Sequence, residues 1–412
     1  MTFSLCRIRT TLFLVPALAL AALSSCRTVP GDIKQTGLSF REASAETGPE
    51  EITESTLPDS IELTFAGDIM AHTENWSMSD YSRIYQDVSS LLRNDDLTFA
   101  NFETPVSNSL PLSTYPRFNV HSSYLDAAVE AGFDVFSLAN NHSNDQGLAG
   151  VAETLSSFSS VHGPIYFSGL YDENRIMAPV VITKNGFRIV FIAATEILNS
   201  HDPSSKKVYY VAPTEKEREA FLQQITLWKK ENPCDLFILS LHVHESEYVR
   251  DVGESRKRWS ERLVDAGVDI LWGHHPHVQQ EWTVLDRTAD TGSGLMNPLI
   301  MYSMGNFISG QRRDPDLSNP GGAREYTGDA VLLKISVSKI GENTSKIADL
   351  QAIPITTHIE SDRSFVVRRF TPEFIGSLRT RRWREYYANR YALLCSYLPL
   401  LPLMLEPAIL ME

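Results

Sequence analysis

Apolar runs of strand length recur along the chain from residue 61 onward, and many are separated by stretches whose apolar positions fall at helical spacing. The strand-like runs cover 61–66, 97–100, 133–139, 179–182, 188–194, 235–241, 268–272, 299–303 and 330–337. The helix-like stretches cover 122–131, 148–158, 215–231 and 255–266. Alternation of the two periods predicts α/β layers, because each amphipathic element must bury one face against its neighbours. Upstream, residues 26–60 are rich in Thr, Ser, Glu, Gly and Pro with little periodic apolar content, which predicts a flexible tether. At the far end, 379–390 is basic and aromatic, and 391–411 is apolar but broken by Pro399, Pro402 and Pro407. Such a tail suits either a membrane surface or packing against the domain; its prolines and Glu406 argue against a regular spanning helix.

The leader has a pattern of its own. Arg7 and Arg9 precede a mostly apolar run at 11–22, and Leu23-Ser24-Ser25-Cys26 closes it. The run is short for a membrane span. The expectation is a lipoprotein signal peptide over 1–25, with Cys26 acylated and becoming the new N-terminus; an ordinary secretory signal with an incidental cysteine is the alternative. This reading places the protein outside the cytoplasm, lipid-anchored to a bacterial membrane, each buried acyl CH₂ contributing roughly 0.8 kcal/mol. Beyond it the chain is ordinary globular material, 412 residues with 42% hydrophobic and 21% charged. A formal charge of −14 argues against nucleic acid as a partner. Only Cys234 and Cys395 lie beyond Cys26, so no disulfide framework is legible.

Candidate chemistry sits where apolar runs end. Five stretches carry it: GDIMAH with Asp68 and His72, NFETP with Glu103, ANNHSNDQG with Asn141 and His142, LSLHVHE with His242 and His244, and GHHPHV with His274, His275 and His277. In an α/β fold the ends of successive strands converge on one crevice, so ligands distant in sequence can share a site. Singly these residues have ordinary roles: turn or cap for Asp68 and Asn141, a salt bridge for Glu103, a surface or core position for His72. Together they are harder to place, since clustered imidazoles are costly to bury without a partner that binds them. Carboxylate, amide oxygen and imidazole in combination suit Mn, Fe or Zn.

These motifs, with YSMGNF at 302–307, resemble in order and spacing those of the CapA family of poly-γ-glutamate capsule synthesis, across roughly 62–309. That family is similar to calcineurin-like metallophosphoesterases, so the resemblance implies a β-sandwich flanked by helices with a two-metal site at strand ends. It implies a CapA-like domain over 61–355 and a C-terminal extension over 356–412. Carried over, the pattern makes Asp68 and His277 ligands of one divalent ion, Glu103 the bridge, and Asn141, His242 and His275 ligands of the second. His142 becomes the general acid or an oxyanion stabiliser; Asp145 either orients it or caps the following helix. Asn306 is expected to line the pocket and His274 to support the ligands. Two departures stand out. Met70 occupies the position where the phosphoesterase pattern has a histidine, leaving only His72 to substitute. HVHESEY has His244 where glycine is expected, and Glu247-Tyr248 falls one residue late. The resulting expectation is a metal-dependent enzyme acting on a capsule polymer or within a capsule synthesis complex; a conventional phosphoesterase and a non-catalytic assembly protein are the alternatives.

Overall fold

The computed structural model describes residues 60–173, 176–286 and 294–398. The leader, Cys26, almost all of the tether and the Pro-interrupted end of the tail lie outside the described residues.

Four parallel strands open the fold: β1 (Ser60–Ile69), β2 (Leu97–Phe102), β3 (Val135–Ser137) and β4 (Tyr166–Ser168). A second series follows as β5 (Val180–Lys184), β6 (Phe187–Thr195), β7 (Leu236–His242), β8 (Ile270–His274) and β9 (Trp282–Val284). The chain then adds β10 (Gly294–Leu295), β11 (Leu299–Met301), β12 (Asn306–Ile308), β13 (Asp329–Gly341), β14 (Thr344–Ile359) and β15 (Phe365–Arg369). One sheet has the order β10-β14-β13-β1-β2-β3-β4, with β12 beside β1 and β15 beside β14; the other runs β5-β6-β7-β8-β11-β9.

Period-2 alternation explains how the sheets meet. Ile61, Leu63, Phe65 and Phe99 of the first sheet share one buried core with Phe191, Ile238, Ile270 and Trp272 of the second. Phe65 and Phe99 stack at 4.6 Å, and Trp272 meets both edge-on at 5.9 Å. The alternate positions face outward: Val190, Phe237, Leu239 and Leu271 pack with Phe221, Ile225 and Trp228 of helix Glu215–Glu231 and with Trp259 and Leu263 of helix Glu254–Asp265. On the first sheet, Phe102 and Phe136 meet Phe158 of helix Gly147–Ser160, and Phe102 also meets Tyr124 of helix Ser122–Ala131. The architecture is thus an α/β β-sandwich flanked by helices. Each large apolar side chain so buried contributes about 1.5–3 kcal/mol before the entropy of ordering is counted.

A boundary between 355 and 356 would fall inside β14, whose pairing with β13 continues through Ile355 opposite Ala330 and Thr356 opposite Asp329. The expected extension is therefore part of the sandwich as far as residue 398. Tyr386, Tyr387, Tyr391 and Leu394 of helix Arg381–Tyr397 enter the main core. Buried Arg390 reaches Asp329 at 2.6 Å, and Arg312 reaches the same carboxylate at 2.7 Å. No described helix is long and apolar enough to cross a membrane.

Candidate metal centre

The inner-face alternation that builds the core also delivers the polar cluster. In β2 the face bearing Phe99 continues to Asn101 and then Glu103; in β7 the face of Ile238 continues to His242; in β8 that of Ile270 and Trp272 continues to His274. All of these polar groups are fully buried. Asp68 arrives through an irregularity in β1, whose register with β2 shifts between Phe65 and Asp68. Gly67 permits it: a Cβ there would lie 2.0 Å from the Gly305 carbonyl oxygen, and the Asp68 N–H donates to that same oxygen at 2.9 Å. After β8 the loop takes His275 and His277 into positive φ, 102° and 58°. Such conformations cost a non-glycine residue about 1–3 kcal/mol and persist only where surrounding contacts enforce them.

Asp68, Glu103 and His277 each offer a ligand atom within 4.8 Å of the others. The Asn101 amide donates to both carboxylates, at 2.8 Å to Asp68 and 3.0 Å to Glu103. Asp68 also meets the Nδ1 atoms of His274 (3.0 Å) and His277 (3.1 Å), and Asn306 Oδ1 lies 3.2 Å from His277 Nδ1. His242 Nε2 lies 3.6 Å from Glu103 Oε1 and 3.1 Å from His275 Nδ1.

The electrostatics of this cluster ask for a cation. Burial and the neighbouring Asp68, Glu247 and Asp145 push Glu103 well above the usual carboxylate range. Burial works the same way on Asp68, but hydrogen bonds and charge from His274 and His277 outweigh it and hold that carboxyl low. Burial drives His242 well below the ordinary imidazole value and takes His275 down to about 4. Glu103 Oε1, His242 Nδ1, His274 Nε2 and Asn141 Oδ1 are buried without a hydrogen-bond partner among the described residues. Neutral imidazoles, orphaned oxygens and a carboxylate destabilised by like charge fit a bound divalent ion, which favours the ligating form of each.

His142 stands beside this cluster. Its Nδ1 meets Asp145 Oδ2 at 2.7 Å, and Asp145 also accepts the Phe118 N–H at 2.8 Å. Asp145 does not cap the following helix, whose N-cap is Gln146. An open cleft of about 500 Å³ is lined by Tyr115, Arg117, Asn141, His142, Asn199 and Glu247, among others.

The structure places the other expected residues as follows. His72 Nδ1 accepts the Gly310 N–H at 3.1 Å and the ring packs edge-on against Phe118, so it does not join the Asp68–Glu103–His277 group. Burial, followed by repulsion from His277 and His142, pushes it down to about 3. Met70 is buried, its N–H bonded to Ile308 O at 2.9 Å. Asn141 Nδ2 reaches Asn199 Oδ1 at 3.4 Å, and Asn199 Nδ2 lies 3.3 Å from His142 Nδ1. Asn101 and Asn199 were not foreseen. Asn101 carried a signal, standing two residues before Glu103 on one face of a strand; Asn199 lies in the segment after β6 with no pattern to mark it.

A buried carboxylate–imidazole cluster at the strand ends of a helix-flanked β-sandwich makes this a protein with a candidate metal centre. The profile of the family described as "Bacterial capsule synthesis protein PGA_cap" matches residues 62–311, and the chain belongs to that family. It is similar to "Capsule biosynthesis protein CapA" of Bacillus anthracis, 29% identical over 273 residues, and to "PGA biosynthesis protein CapA" of Bacillus subtilis (strain 168), 27% identical over 260 residues. Each match takes in 61% of this chain, and 61% and 64% of those proteins' own lengths. Among solved structures, it resembles a hypothetical protein from Thermus thermophilus (16% identity, 71% of this chain and 98% of that one, TM-score 0.40). It also resembles the calcineurin-like phosphoesterase YfkN from Bacillus subtilis (12% identity, 82% and 98%, TM-score 0.39).

Proposed function

We propose that this protein is a metal-dependent hydrolase or transferase of capsule or poly-γ-glutamate biosynthesis, held at the outer face of a bacterial membrane by acylated Cys26. The observation that carries the chemistry is the buried Asp68–Glu103–His277 group beside an imidazole fixed by a carboxylate, His142–Asp145, on an open cleft. Asp68, Glu103 and His277 would hold one divalent ion, and Glu103, Asn141, His242 and His275 a second; manganese, iron or zinc suits such donors. When bound, such ions acidify water and neutralise charge developing on an ester or amide oxygen. The chain's own residues then have distinct tasks. Asn101 holds the two carboxylates together. Asp145 engages Nδ1 of His142, so proton exchange with a leaving group falls to Nε2, and Asn199 links that imidazole to Asn141.

His142→Ala should keep the fold and the metal content yet lose about 10²- to 10⁴-fold in rate. The assay uses full-length protein loaded with manganese, with poly-γ-glutamate oligomers and simple phosphate esters as separate substrates. Phosphate release alone would move the assignment to a general phosphoesterase. Full activity of a well-folded His142→Ala protein would remove His142 from the chemistry. Met70, standing where the phosphoesterase pattern has a histidine, supports a second reading in which the fold serves assembly without catalysis; normal capsule in cells carrying Asp68→Ala or Glu103→Ala would establish it. Anchoring is tested by Cys26→Ala, which should leave the protein unprocessed or released from membranes. Membrane fractionation at the parent's mature size would defeat the lipoprotein assignment.

A further inference from the structure

Beyond the residues assigned so far, one carboxylate stands at the cleft above them. We propose that Glu247 is a third carboxylate of the cation centre, acting on the bound ion from the cleft side, directly or through water. This rests on the metal-centre reading above. Glu247 lines the cleft together with Asn141 and His142. Its charge acts on Glu103, the proposed bridge, and on His275, a proposed ligand of the second ion. It is exposed, whereas Asp68 and Glu103 are fully buried, so it is the carboxylate on the solvent side of the group.

The turn that presents it is held against strain. Tyr248 adopts φ 65°, a left-handed conformation uncommon for a bulky side chain. Its N–H donates at 2.8 Å to the carbonyl of Pro276, the residue between His275 and His277, which themselves have positive φ. Three unfavourable backbone conformations thus surround one hydrogen bond, tying the Glu247 turn to the imidazole loop. Two further bonds fix the segment: His244 N–H to Glu196 Oε2 at 3.2 Å, and Gln280 Nε2 to the Val249 carbonyl at 2.8 Å. Strain of this kind survives where function selects the geometry. The donor count gives a reason for it. Met70 stands in place of an imidazole and His72 is taken up by Gly310, so the cluster is short of a donor, and a carboxylate at the cleft beside Asn141 supplies an oxygen ligand or a partner for coordinated water.

The test is calorimetric titration of manganese into chelator-stripped, full-length protein. Groups that support a metal's ligands typically contribute 10- to 100-fold in affinity. Glu247→Gln should therefore weaken at least one binding step by that factor while leaving the thermal transition of the metal-free protein unchanged; Glu247→Asp should recover part of the loss. Asp202→Asn, a change to another carboxylate lining the same cleft, should leave the titration as in the parent. An unaltered titration in Glu247→Gln, with the parent binding normally, overturns the assignment of Glu247 alone. Absence of binding in the parent overturns it together with the metal centre.

Discussion

At the scale of single residues, the cluster depends on positions with no room for alternatives. A Cβ at Gly67 would sit 2.0 Å from the Gly305 oxygen, and one at Gly273 would sit 2.1 Å from the Tyr302 oxygen. Both contacts are with backbone, so neither can be relieved by a rotamer change. Gly67→Ala should cost about 1–3 kcal/mol through displacement of the 303–306 segment. Because that shift moves Asp68 as well, manganese affinity should fall along with stability; a lowered unfolding midpoint in urea with unchanged metal binding would show that Asp68 is positioned independently of Gly67. The residues legible in the sequence were those with distinctive chemistry, Asp68, Glu103 and His277, although His72, expected among the ligands, lies outside their group. Asn101 and Asn199 were not, because an amide that positions its neighbours looks like any loop or strand asparagine until the neighbours are known.

Among the elements, helices of strong apolar periodicity were readable almost to the residue. Stretches 122–131 and 215–231 coincide with helices Ser122–Ala131 and Glu215–Glu231. The run at 133–139 yields only the three residues of β3, since the chain leaves the sheet there to form the loop bearing Asn141 and His142. The basic, aromatic stretch at 379–390 was the hardest to place. Its Arg390 looks like a surface cation but is fully buried, because its partner Asp329 lies 61 residues earlier on β13. Arg312, Asp329 and Arg390 form one buried network that fastens helix Arg381–Tyr397 to the sheet. Removing the shared carboxylate leaves two buried guanidinium groups uncompensated, so Asp329→Ala should destabilise the protein by about 3–5 kcal/mol. Circular dichroism on chemical denaturation measures this. A loss below about 1 kcal/mol, the level of an exposed ion pair, would mean that the helix is held by Tyr386, Tyr387 and Leu394 alone.

Over the whole molecule, the sequence supported α/β layering but not the order of strands in each sheet. The pairing of Leu63 with Ile335 joins strands far apart in sequence that no local pattern connects. That closure brings buried titratable groups together, with consequences for stability. Burial holds His275 and His358 at about 4 in the folded protein, against an ordinary value of 6.5. Their contribution to stability is present in full above pH 6.5 and is lost as the pH falls toward 4, because the unfolded chain takes up the protons. Glu103 has the opposite sign. Its folded value is raised, so its contribution is largest in acid and disappears as the pH rises through that value. A divalent ion in the cluster must displace the proton that burial favours on Glu103, whereas His242 and His275 are already neutral in the folded protein, so cation binding should stabilise the fold more at neutral pH than in acid. At a concentration of about one hundred times Kd the gain is about 2.7 kcal/mol. Adding manganese to chelator-stripped protein should therefore raise Tm by several degrees at about pH 7.5 and by clearly less at about pH 5.5, as followed by scanning calorimetry. An increment as large in acid as at neutral pH would place the cation on groups other than Glu103.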